Sequence, residues 1–432
     1  MQLNGLSVDQ APPIAVPLRF FLTAPLFGII AGVLILLNDS HTLMNRYSID
    51  AIIITHAITI GMFTFVMFGA LTQMLPVLAG AKIGEVKRVT LFSYLLLSSG
   101  LISMILGLKF SLSFLTSYAY VGIGLGFLTM VLGIVYAIRN VQNFTATIKG
   151  MAASLLFAFF TACLGSFLLY EYASNSISQY HLLVANIHSV WAIFGFCGLL
   201  IIGISFQVLP MFYVAPKFKQ FCKKRVVILI SIGLSIWFCL NLYYEEYELV
   251  AKIWIALFFW AFATAVWLKF NRRKRPISDV TVWYWRSASL FLTLGSFLWI
   301  FDEFFKHEYI VMVGILIGGG FVLSIILGML YKILPFLIWF HLNATGYMNI
   351  PTINEMIDNG LAKVQFTLFI LSLIGFIFAF YIPQLLAVSA LYFIISMALL
   401  EYNLLVPVLL YRATKKRKPD FDMSAFSVDG VA

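Results

Sequence analysis

Charge is what this sequence has least of. Only 11% of its 432 residues are Asp, Glu, Lys or Arg, against about 25% in an ordinary soluble domain. Together with 62% hydrophobic residues and a mean hydropathy of +0.98, that scarcity excludes a water-soluble globular fold. Cysteine is nearly as scarce. Cys163, Cys197, Cys222 and Cys239 form no C-x-x-C pair and three of them fall inside apolar runs, which speaks against a disulfide framework or a thiolate metal site. There is no phosphate-binding Walker loop, no dinucleotide fingerprint and no nucleophile elbow. The stretch before Arg19 holds Asp9 but no cation. It lacks the basic start of a signal peptide, so the first apolar run is expected to stay in the mature protein.

What the chain does have is apolar length. Runs able to cross roughly 30 Å of hydrocarbon fall near 19–37, 51–79, 89–109, 112–138, 148–170, 182–214, 224–243, 249–269, 285–305, 309–340, 362–382 and 384–411. The expected fold class is an all-α integral membrane protein of twelve transmembrane helices. Residues 1–18 and 412–432 form tails outside it. Of the 28 Lys and Arg, 23 lie on the side that carries both tails, and the positive-inside rule makes that side cytoplasmic. The net charge of +10 therefore reads as loop charge beside a lipid bilayer, with no nucleic-acid partner implied. The connection 340–361, with Pro351 and Met356, is the one sizeable inner loop and is expected to hold a short interfacial helix.

A pattern repeats three times. Gly61, Gly69, Gln73, Leu75 and Pro76 recur as Gly195, Gly203, Gln207, Leu209 and Pro210, and again as Gly320, Gly328, Lys332, Leu334 and Pro335. Each copy lies in the second run of a four-run unit, so the units (about 19–138, 148–269 and 285–411) run parallel and imply three arcs with pseudo-threefold symmetry. The steps keep glycines, polar residue and proline near one helix face. Glycine there allows either close helix packing or a slot for a flat ligand.

Ionisable groups within apolar runs are functional hypotheses by default, because burying them in hydrocarbon is costly. His41, His56, His181, His188 and His307 gather toward the outer side, and His341 alone lies at the inner end. Clustered imidazoles at one depth suggest haem or copper. His56 and His188 are the first candidates for metal ligands, and His181 and His307 the next for cofactor binding, with Gly61, Gly195 and Gly320 as the slot. His181 and His188 are seven residues apart, two turns along one face, which suits two sites or a relay better than one metal. Lys332 replaces the glutamines Gln73 and Gln207, and Glu401 in the last run lies at a similar depth. The two are expected to pair, as a structural ion pair more readily than as a proton path.

On these residues the chain resembles the subunit I superfamily of haem-copper oxidases, and NnrS-type membrane proteins in particular. The likeness is one of topology over nearly the whole chain. The segments THAITIGMFTFVMFGALTQMLPVLAG, IHSVWAIFGFCGLLIIGISFQVLPMF and GMLYKILPFLIWFHL carry it. The resemblance implies that His56 stands where the second helix supplies a haem ligand, and that His188 is the nearest counterpart of a copper ligand in the sixth. NnrS-type proteins carry haem and copper on these helices and are linked to nitric oxide stress. The chain departs from the oxidases at three places. No histidine pair lies in the seventh run, no histidine lies between Val311 and Phe321, and Ala192 stands where the cross-linking tyrosine belongs.

The expectation is a haem- and/or copper-binding protein of a bacterial-type inner (plasma) membrane, without oxygen-reducing activity. It would act in respiratory electron transfer, nitric oxide response or oxidase assembly, with respiratory-chain or oxidase-assembly proteins as partners. Any enzymatic activity would be that of an oxidoreductase. The competing expectations are a transporter of a small solute or metal ion, with the Gly-Gln-Pro faces lining its path, and a scaffold subunit without cofactor.

Overall fold

The computed structural model describes residues 12–274, 279–305 and 308–421. Among them twelve helices are long and apolar enough to cross a membrane, and there is no strand. They are α1 (Ala15–Leu36), α2 (Ile49–Val77), α3 (Val86–Lys109), α4 (Ser113–Arg139), α5 (Ala146–Ala173) and α6 (His181–Tyr213). The second half holds α7 (Gln220–Tyr243), α8 (Glu248–Asn271), α9 (Val280–Phe305), α10 (Ile310–Ala344), α11 (Asn359–Phe378) and α12 (Leu385–Thr414). Helix is the outcome that hydrocarbon imposes, since every backbone N–H and C=O must find its partner within the segment. Large apolar side chains such as Phe92, Leu132, Phe167, Leu290, Phe297 and Leu391 point outward. The bilayer is what covers them.

The helix ends follow local chemistry. α9 starts five residues before the apolar run because Asp279 caps it, its Oδ1 accepting the N–H groups of Thr281 and Val282 at 3.1 and 3.3 Å. A helix start leaves such donors unsatisfied, and a carboxylate is among the best caps. The short helix expected within 340–361 is not there. α10 continues to Ala344, and 345–358 is a chain of turns that tucks Met356 inside.

Neighbours along the chain pack side by side, with α4 on α5, α8 on α9 and α12 back on α1. α2, α6 and α10 touch one another inside this wall. Their most apolar stretches are 67%, 78% and 67% buried, against 56% or less for the other nine helices. The three helices that carry the sequence repeat are thus the centre of the molecule.

Two local features recur on all three. Each widens into a π-helical stretch, at Thr59–Thr64, Trp191–Gly198 and Ile315–Leu323. Each also seats a ring from the helix before it. A Cβ at Gly61, Gly195 or Gly320 would come closer than 3.0 Å to Phe27, Phe157 or Phe291 respectively. One turn-pair further, Gly69, Gly203 and Gly328 meet Phe20, Gly150 and Tyr284, each seven residues before the respective phenylalanine. The glycines exist for this approach. Packing, and not a slot, occupies the space beside them.

Both described termini lie at one end of the bundle. The carbonyl of Pro12 is 3.2 Å from His341 Nε2, and Phe421 N–H donates to the carbonyl of Gly346 at 3.1 Å. The other end, where α2, α6 and α10 begin, is called the far end below.

Candidate functional site

At the far end the two best-placed histidines come together. Each stands three residues before a π-helical stretch: the N–H of Thr59 donates to the carbonyl of His56, and that of Trp191 to the carbonyl of His188. In α10 the residue with the same bond, to Ile315, is Met312. The π-helical stretches have different lengths, which is why counting back from the glycines blurs this equivalence.

The rings of His56 and His188 are 6.0 Å apart between centroids and inclined by 20°. His56 Nδ1 lies 2.8 Å from the carbonyl of Ile52, and His188 Nδ1 lies 2.9 Å from the carbonyl of Thr161. A carbonyl only accepts, so the neutral rings carry hydrogen on Nδ1 and keep the Nε2 lone pair free. That tautomer is the one in which imidazole binds a metal. Two imidazoles that share one metal ion at the usual ~2 Å have centroids about 5 Å apart at a tetrahedral angle and about 6 Å apart when they face each other across it. The observed spacing fits.

Both rings line a cavity of about 450 Å³ that reaches Arg46 and Tyr47 in the far-end loop. Gly314 and Gly318 on α10 form part of its wall, and a Cβ on either would meet nothing within 4 Å. Arg46 donates to Ser189 Oγ at 3.1 Å and has Tyr47 beneath its guanidinium. Among the described residues no group of three or more His, Cys, Asp or Glu is arranged to hold a metal ion.

The remaining candidates scatter. His181 lines the same cavity, but its Nδ1 is 2.6 Å from Glu171 Oε2 and its ring stands edge-on to Tyr172. His41 is exposed on the short helix Ser40–Met44, His341 lies at the opposite end against the carbonyl of Pro12, and His307 lies outside the described residues. Gly61, Gly195 and Gly320 are not among the cavity residues. Gln73 is buried, with no hydrogen-bond partner for either amide atom, and Gln207 is half-buried.

The expected pairing of Lys332 with Glu401 is wrong. Lys332 Nζ sits 2.5 Å from Asp279 Oδ2, and Glu401 Oε2 has no hydrogen-bond partner. The cap that starts α9 provides the counter-ion, so the lysine is answered from the helix before its own.

Several groups escaped sequence reasoning. Glu171 was legible as a lone carboxylate in an apolar run. Glu248 and Lys252 were legible from their i, i+4 spacing: Lys252 binds Glu248 at 2.6 Å and also pairs with Glu303, all at the far end of α8 and α9. Asn241 donates to Glu248 Oε2 at 2.6 Å. Gly165, against which His188 rests, carried no signal at all.

Fold and cavity together define a multi-span α-helical membrane protein in which two histidines from its central helices meet in a far-end cavity. No family model matches the chain, and no curated protein matches it in sequence.

Proposed function

We propose that the chain is a haem-binding membrane protein of the haem-copper oxidase subunit I-like type, without oxygen-reducing activity. The observation that carries this reading is the juxtaposition of His56 and His188 in one apolar cavity, each with Nε2 free. His56 and His188 together would hold haem iron, whereas a bare copper ion held by them would lack further protein donors. Bound there, the haem would supply one-electron chemistry. The protein's part is to orient the two rings and keep them in an apolar surround.

The similar π-helical stretches and glycine seats of α2, α6 and α10 support three four-helix arcs about a pseudo-threefold axis. The excess of Lys and Arg at the end that holds the termini supports a cytoplasmic location for both, in a bacterial-type inner membrane. Respiratory electron transfer, nitric oxide response and assistance to oxidase assembly are the roles this type of protein suggests. A second reading, transport of a small solute or metal ion, draws on the buried, unpartnered amide of Gln73 in the central helix α2.

Visible spectra of gently purified protein, oxidised and dithionite-reduced, separate the readings. A Soret band lost in both His56→Ala and His188→Ala is expected. A colourless protein made under haem-replete conditions rejects the haem reading, and metal analysis of that sample then tests copper.

A further inference from the structure

The two histidines are held in different ways. His56 bonds to Ile52, one turn back on its own helix, so its orientation is internal to α2. His188 bonds across to Thr161 on α5, and its ring lies directly on Gly165. A Cβ at Gly165 would be 2.7 Å from His188 Cε1 and 3.3 Å from Nδ1, well inside the roughly 3.5–4.0 Å of an ordinary contact.

The other two units show what this glycine replaces. Gly165 follows the glycine-seated Phe157 by eight residues, and the same step from Phe27 and Phe291 leads to Ile35 and Trp299. All three residues line the cavity. Bulk fills the wall at two of them. Only α5 is bare there, and it is there that His188 of α6 lies against the wall.

We infer that Gly165 is a positioning residue for His188: the bare backbone lets the ring rest on α5 and donate Nδ1–H to the Thr161 carbonyl, which fixes Nε2 as the nitrogen that faces the cavity. The functional meaning of that orientation rests on the haem reading, but the orientation itself does not. One imidazole of the pair is thus rigid on its own helix, while the other is set by how α5 docks on α6. Any shift between those helices changes the second ligand and leaves the first in place.

Nitrogen-15 histidine spectra of the full-length protein in lipid bilayers, without added haem and at pH 8, test this. The His188 signal is assigned by its loss in His188→Gln. Wild type should show one neutral His188 tautomer, with the proton on Nδ1. Gly165→Ala should move that signal and mix the tautomers while His56 stays unchanged, and hemin titration should show about 10–100-fold weaker binding, the usual effect of disturbing a ligand's outer support. Unchanged His188 shifts in Gly165→Ala overturn the inference. If that variant does not fold, the wild-type spectrum decides alone: a proton on Nε2, or two His188 tautomers, overturns it. Failure of wild type to bind hemin rejects the haem reading, and the nitrogen spectra still decide the role of Gly165.

Discussion

Lys332 Nζ and Asp279 Oδ2 are 2.5 Å apart, which ties the middle of α10 to the first turn of α9. Burial pushes the Asp279 carboxyl upward. Lys332, together with hydrogen bonds from Thr281 and the Val282 N–H, outweighs that and holds it below the usual carboxylate range. In the second unit the corresponding cap is Thr145, which accepts the N–H of Ile148, and the corresponding polar residue is the uncharged Gln207. Cation and cap have one explanation: a lysine in the central helix needs an acidic cap beside it.

That pairing predicts a coupled pair of substitutions. Asp279→Thr alone strands a buried ammonium and should destabilise the protein by about 2–4 kcal/mol, somewhat less than a fully buried pair because Asp279 is partly exposed. Asp279→Thr with Lys332→Gln copies the second unit and should recover most of the loss. A double-mutant cycle on thermal unfolding in detergent measures this. Additive losses would reject the coupling.

The same pair sets a pH dependence. A carboxyl whose folded pKa is depressed contributes stability above its unfolded pKa, about 3.9. It loses that contribution as pH falls through the folded value. The stability advantage of wild type over Asp279→Thr should be constant from pH 7 down to about 5 and shrink below about 4. Thermal midpoints of both proteins across that range are the check, and a gap that widens in acid would contradict the assignment.

Lys252 bridges Glu248 and Glu303; lysine and Glu248 are almost out of contact with water, and Glu303 is partly exposed. Lys252→Met should cost about 3–5 kcal/mol, because it leaves the buried Glu248 carboxylate without its cation. Glu303→Gln keeps the Glu248 partner and should cost distinctly less. Equal losses in calorimetric or fluorescence melts would show that the two carboxylates do not share the lysine as described.

Val214 caps the C-terminal end of α6 in the left-handed region, with φ of 51°, as Gly80, with φ of 63°, caps the segment Phe65–Ala79 that completes α2. Each residue follows its helix proline by four positions. A β-branched side chain is strained there and glycine is not. Val214 is largely exposed, so Val214→Gly loses little packing and should stabilise the protein by about 1 kcal/mol. A lower melting temperature would mean that the valine side chain matters more than its backbone.

A glycine seat is tight where its neighbour is a ring. Gly320→Ala should cost about 1–3 kcal/mol through overpacking against Phe291, and adding Phe291→Leu should return part of it. No recovery in the double variant would place the strain elsewhere.

Much of this architecture was legible from residue order. The twelve apolar runs match the helices to within a few residues, since an unbroken apolar stretch in hydrocarbon has no alternative to helix. The triple Gly-x7-Gly pattern marked the three central helices, and His56 and His188 stood out as ionisable groups in apolar runs. The Lys332 partner was missed because depth along two helices says nothing about which neighbour lies beside them. The register between the histidines was hidden by π-helical stretches, which add residues without changing composition.

Sequence by itself determined how many helices are long and apolar enough to cross the bilayer, which three carry the repeat and which ionisable side chains fall in apolar runs, because those follow from hydropathy and from the periodicity of small residues. Tertiary structure alone decided which of those side chains meet. The 6.0 Å approach of His56 to His188, the bare wall at Gly165 and the Asp279 counter-ion all depend on how helices far apart in the chain dock. Docking is set by the shape of contacting faces, which no local pattern along the chain records.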